Sequence, residues 1–198
     1  MHANEREFKT MSDPREKVLG LLRGHVAHDA HEAQMTADTI RFVEAHEDCF
    51  LRSQLSGHLT GSAWIVSPDR TQTLLTHHRK LDKWLQLGGH ADGDPDLLAV
   101  ALREAQEESG LTRLRAVSTA PYDVDRHLIP QRKGVPEHFH YDLRFMIEAD
   151  PAEPLVISQE SKDLAWVEVA RVTSLNPEAS MARMVRKTPP QSGGMTNA

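Results

Sequence analysis

Polar and apolar residues follow two periods along this chain, helical at the start and alternating later. Residues 1–12 are mostly polar and expected to be frayed and disordered. "DPRE" (13–16) then offers a helix start, with Asp13 as cap, Pro14 at the first helical position and Glu16 where a capping box wants it. Val18, Leu21 and Leu22 form an apolar stripe behind it. A second helix is expected over about 29–47, with Ala33, Ala37, Ile40 and Val43 on one side. Helices this short need a surface to pack on, either the main domain or a second copy of the chain in a homodimer. From "SAWIVS" (62–67) the pattern changes to strands, with a turn at Ser67-Pro68-Asp69 and a return strand at 73–78. A glycine-bearing loop leads into a helix over 96–109, capped by Asp94 or Asp96 and ended by Gly110. Further strands are expected at about 114–128, 138–148 and 164–169. Asn176-Pro177 opens a last helix carrying Met181, Met184 and Val185.

This order implies an α/β domain over residues 51–187, a helical extension over 13–50 and a disordered tail over 188–198. The length, 198 residues, suits one domain with an addition. A net charge of −6 argues against a broad basic surface for duplex nucleic acid. Cys49 is the single cysteine, which excludes an intramolecular disulfide and a cysteine zinc site and fits a reducing compartment. With no apolar run near the roughly 20 residues of a membrane span, a cytoplasmic location is expected. Histidine is abundant, at 12 residues, so some histidine pairs must arise by chance.

The helix over 96–109 gathers Glu104, Glu107 and Glu108 within five positions. At about 100° per residue, Leu98, Ala101, Leu102 and Ala105 form a core stripe, with the glutamates beside it. Like charges at these spacings each cost a few tenths of a kcal/mol, roughly, when merely solvated. A divalent cation such as Mg²⁺ or Mn²⁺ reverses that cost, since both favour carboxylate, water and phosphate oxygens. A plain solvated acidic face is the competing reading of the cluster alone.

The loop ahead of it adds Gly88-Gly89, where backbone can approach a ligand. Here "GHADGDPDLLAVALREAQEESGL" (89–111) resembles the signature of the Nudix hydrolase superfamily. Gly89, Arg103, Glu104, Ala105, Glu107, Glu108, Gly110 and Leu111 fall at the expected spacing. Pro95 replaces the first glutamate of the signature, with Asp94 and Asp96 on either side, and Leu87 stands where many members carry proline. The resemblance implies a Nudix-type α/β/α sandwich with a mixed sheet and hydrolysis of a small-molecule diphosphate, such as a nucleoside diphosphate derivative. It implies Glu104, Glu107 and Glu108 as metal ligands, Arg103 orienting a glutamate, and Glu160 as a late-loop base or ligand. Two rivals share the fold: a ligand-binding protein with weakened catalysis, to which Pro95 points, and an enzyme similar to isopentenyl-diphosphate isomerase. The isomerase type resembles a chemistry needing a pocket cysteine, and Cys49 precedes the sheet.

A second polar face comes from "YDVDRHLIP" (122–130) and "HFHYDLRF" (138–145). Asp123, Asp125 and His127 point one way on the first strand, and His138, His140, Asp142 and Arg144 share a face of the second. Paired as a hairpin, these strands oppose acids at one end and gather histidines at the other, which invites a ligand or cation. One functional reading has His127, His138, His140 and Arg144 holding substrate phosphates, together with Gly89 and His90 of the glycine loop. The other has imidazoles and carboxylates binding an additional transition metal, with His90, His138 and His140 as ligands. A solvated outer face in a histidine-rich chain is the third. Arg79, in the basic run 77–80, is a further candidate for phosphate.

Overall fold

The computed structural model describes residues 13–132, 134–159 and 161–191. The expectations for residues 1–12 and for residues 192–198 of the tail lie outside them.

Helix α1 (Arg15–Arg23) follows Pro14, and the Asp13 carboxylate accepts the Arg15 amide at 2.9 Å, satisfying a donor that helix starts leave open. Helix α2 (Ala30–Ala45) is capped by Asp29, whose carboxylate accepts the Glu32 amide at 2.8 Å. Its buried face carries Glu32, Met35, Thr36, Thr39, Phe42 and Val43. Of the expected stripe Val43 is buried, Ala37 and Ile40 are half-buried and Ala33 is exposed. Met35 and Phe42 offer more apolar area than alanine, and Glu32 finds partners inside, so the helix is turned toward them.

Strand β1 (Gly57–Val66) runs through the centre of the sheet and is buried at every position. It pairs in parallel with β7 (His138–Glu148), from Gly57↔Phe139 to Val66↔Glu148. On its other side lie β4 (Leu87–His90), in antiparallel register Gly61↔Gly89, and β2 (Gln72–His78) at Val66↔Thr73. Strand β2 carries β3 (Lys83–Leu85) and β8 (Ser161–Glu168). Strands β5 (Arg115–Ala116) and β6 (Asp123–Ile129) pair successive parts of β7. The strand expected over 114–128 is thus broken around Pro121, which has no amide to give the ladder. One parallel pair among antiparallel ones makes the sheet mixed.

Helix α3 (Leu97–Ser109) covers one face. There Leu59, Ala63, Leu143 and Phe145 share a single core with Val100 and Ala105, and with Leu22, Phe42 and Val43 of the first two helices. The extension therefore packs on this chain's own domain. Its carbonyls tie it down: Cys49 accepts the Leu59 amide at 2.8 Å and Phe50 accepts that of Gly93 at 3.0 Å. On the opposite face Trp64, Val66, Leu75 and Met146 meet Val172, Met181 and Met184. These last come from α4 (Val172–Leu175) and α5 (Ala179–Arg186), giving an α/β/α sandwich. Thr188, at the start of the expected disordered tail, is instead buried and accepts the Trp64 indole N–H at 2.9 Å.

Candidate active site

Asp96 caps α3 by accepting the Ala99 amide at 3.2 Å, and its second oxygen meets Lys17 of α1 at 2.6 Å. Gly110 ends the helix at φ 74°, a conformation that L side chains rarely adopt. Leu97, Val100, Ala101 and Ala105 are buried, while Leu98 and Leu102 are half-buried. Glu104 stands at the edge of that face, with its side chain 20% exposed, against 63% for Glu107. Glu108 is half-buried. Arg103 donates to Glu104 at 3.2 Å and lies 4.0 Å from Glu107, an arrangement that fixes the orientation of a carboxylate. It also lies 3.9 Å from Asp94.

Gly89 explains how Glu104 reaches the sheet. A Cβ at that position would overlap the Glu104 carboxyl group, so only glycine lets β4 and the carboxylate meet. Burial raises the pKa of Glu104; Arg103 pulls it down, and the Glu107 charge adds to the rise. Of the two aspartates beside Pro95, Asp96 is occupied as the cap, and Asp94 accepts the Asp96 amide at 2.8 Å.

Across the sheet, β6 and β7 pair as the alternation implied: Asp123↔Arg144, Asp125↔Asp142 and His127↔His140. Acids face each other at one end and imidazoles at the other. The acidic end is neutralised from within. Arg144 is only 3% exposed, and its guanidinium donates to Asp142 at 2.8 Å, Asp123 at 3.1 Å and Asp125 at 3.1 Å. Its guanidinium is thus buried and engaged with carboxylates, which gives the expected phosphate role no support. Arg183 of α5 adds bonds to Asp123 at 2.7 Å and to Asp125 at 3.2 Å. Burial disfavours the Asp125 charge, yet Arg144, His127 and Arg183 hold its carboxyl well below the usual range. Asp142 also accepts hydroxyls from Thr60 at 2.9 Å and Ser62 at 2.7 Å. Arg183 gave no sequence signal, since a lone arginine between Met181 and Met184 shows its partners only in the fold.

At the histidine end the structure brings together His90, His127, His138 and His140, and adds His58 from β1. The His58 ring lies 5.0 Å from His90, 5.0 Å from His138 and 4.9 Å from His140. Extending the first strand back from residue 62 would have found it, because His58, Thr60 and Ser62 alternate onto one face. Burial pushes the pKa of His90 down to about 4 and that of His140 down to about 2, and neighbouring imidazoles add to the latter. Burial lowers His58 as well.

Arg79 donates to the carbonyls of Gln159 at 3.1 Å and Ser161 at 2.8 Å, fastening the start of β8 and leaving the phosphate role without support. Glu160 lies outside the described residues. Cys49 is fully buried, and burial pushes its thiol up to about 12, so it offers no pocket nucleophile of the isomerase kind.

A carboxylate-bearing helix, laid against a glycine-containing strand of a mixed sheet between two helical layers, defines a fold class on its own. A family model described as NUDIX domain matches residues 58–187, and the chain belongs to that family. A C. elegans Ap4A hydrolase binary complex aligns with a TM-score of 0.53 at 19% identity, over 65% of this chain and 93% of that one. A NUDIX-family hydrolase from Clostridium perfringens gives 0.51 at 23%, over 66% and 95%. The E. coli dihydroneopterin triphosphate pyrophosphohydrolase gives 0.51 at 17%, over 65% and 92%. At these identities the likeness is one of fold. No curated protein matches the chain.

Proposed function

We propose that the chain is a metal-dependent pyrophosphohydrolase acting on a nucleoside diphosphate derivative or a similar small organic diphosphate. Glu104, Glu107 and Glu108 would hold Mg²⁺ or Mn²⁺. The observation that carries this reading is the Glu104 carboxylate, drawn out of water against the bare backbone of Gly89 with Glu107 close by. A desolvated carboxylate beside a like charge favours a cation, and an all-oxygen donor set suits a hard divalent one. Such an ion, when bound, neutralises phosphate charge and lowers the pKa of a water molecule.

The remaining work belongs to the chain. Arg103 keeps Glu104 in one orientation through its 3.2 Å bond. Gly89 leaves room for a phosphate to approach backbone. Glu160 is assigned the proton of the attacking water as general base. The matched E. coli protein is by name a pyrophosphohydrolase, in keeping with this reaction. The single cysteine, buried and unpaired, suits a reducing cytoplasm.

A panel of nucleoside diphosphate derivatives, assayed with Mg²⁺ and with Mn²⁺, tests the reading. At least one should be hydrolysed, and Glu107→Gln should lower kcat/KM by about 100-fold or more without lowering Tm. Tight binding of a panel member with no turnover under either metal would leave a binding protein in its place.

A further inference from the structure

The histidine cluster is not needed by the reaction just described, and it lies on the other side of the sheet from Glu104. Gly89 and His90 are successive residues of β4, so their Cβ directions oppose each other: that of Gly89 faces Glu104, and His90 faces His58 and His140. We propose that His58, His138 and His140, with His90 as fourth ligand, form a separate centre for a borderline transition metal ion, Zn²⁺ above all.

Three observations carry this. One ring nitrogen from each of His58, His138 and His140 lies within 4.8 Å of the others. An ion at the middle of an equilateral triangle of that side would sit about 2.8 Å from each nitrogen, so a shift of roughly 0.7 Å per ring reaches the usual Zn–N length of about 2.1 Å.

The second is unpaired nitrogen. Nε2 of His140 is buried without a hydrogen-bond partner among the described residues, and the ring nitrogens of His58 are buried with no well-formed hydrogen bond, the Gln54 backbone lying nearby. His58 is 4% exposed and His138 is 8% exposed. Polar atoms in such positions normally have partners, and leaving them bare is costly. A metal ion satisfies several at once. His138 is already prepared for it: Nδ1 lies 2.8 Å from the Pro136 carbonyl, which fixes the proton there and leaves the lone pair on Nε2.

The third is charge. The next residues inward on the same strand faces are Asp142 beside His140 and Asp125 beside His127. Arg144 and Arg183 already neutralise these carboxylates, so the strand faces beside the cluster leave a phosphate no free positive charge to pair with. An imidazole set suits Zn²⁺, whereas the carboxylates of α3 suit Mg²⁺ or Mn²⁺, so the two sites differ in the ion they favour. His127, 42% exposed and 5.4 Å in ring separation from His140, stands at the rim.

The test uses the full chain without added histidines, stripped of metal and titrated with Co²⁺ as a spectroscopic stand-in for Zn²⁺. We expect one Co²⁺ per chain with ligand-field absorption in the visible, displaced by one equivalent of Zn²⁺, and Zn²⁺ should raise Tm. His58→Asn and His140→Asn should each weaken binding by at least about 10–100-fold. Glu107→Gln should keep the Co²⁺ spectrum while losing turnover, so failure here and failure of the hydrolase reading are told apart. Absence of stoichiometric Co²⁺ absorption in the wild-type chain, or its survival in both histidine variants, overturns the proposal. If a variant does not fold by circular dichroism, the wild-type titration decides alone.

Discussion

Arg103 shows how much one side chain can settle in this site. It is half-exposed, so its ion pairs with Glu104 and Glu107 contribute little to stability in solvent. The role proposed for it is directional: the carboxylate it bonds lies between it and the backbone of Gly89. Arg103→Ala should therefore weaken Mn²⁺ binding by roughly 10–100-fold in a calorimetric titration while leaving urea unfolding almost unchanged. A matching loss of stability would mean that the arginine is structural. The contrast with Arg144 is instructive. Both are arginines among acids, yet Arg144 is sealed inside and bonded to three aspartates. Arg103 entered the site through the Nudix-like signature, whereas Arg144 was placed there by strand alternation, which gives a residue's face but not its depth.

At the scale of elements, Arg144 and Arg183 join β6, β7 and α5 through Asp123 and Asp125. Removing one partner of a buried ion pair leaves the others uncompensated, at a cost of about 3–5 kcal/mol. Arg144→Met should lower unfolding free energy by about that amount in urea, and a change below about 1 kcal/mol would show the network to be solvated. Helix α3 was legible from the chain alone because every signal for it is local: the Asp96 cap, the Gly110 stop and the apolar period. The burial of α2 was not, because Glu32 takes its partners from His25, Lys187 and the Val124 amide, the last two far along the chain. The histidine end was half-legible for the same reason. The β6–β7 hairpin can be paired on paper, whereas His58 arrives through the parallel pairing of β1 with β7, across a separation of 82 residues at Thr60 and Asp142.

One face of the sheet carries a cluster of buried imidazoles beside buried acids, and this shapes the response to pH. His90 and His140 have folded pKa values of about 4 and about 2, below the ordinary 6.5. Between these limits the unfolded chain binds more protons, so their contribution to stability is complete above about pH 6.5 and is lost as the pH falls. Asp125, also depressed, adds to the loss below its ordinary 3.8. Glu104 is shifted upward and works the other way just above 4.5. With metal chelated, the urea midpoint should fall steadily from pH 7 to pH 5; a flat profile would mean that the imidazoles are hydrated.

The first two helices have a consequence for how the chain can be cut. Strand β6 pairs with β7 alone among the described residues, and its outer side is sheltered by α2, whose Glu32 carboxylate takes the Val124 amide at 3.2 Å. The stretch matched by the family model begins at His58, so trimming to that border removes this shelter along with Phe42, Val43 and Phe50. What remains is an open ladder edge, and open edges recruit one another. A fragment starting there should precipitate or run as large aggregates on gel filtration, because the recognisable domain and the cooperative folding unit have different borders.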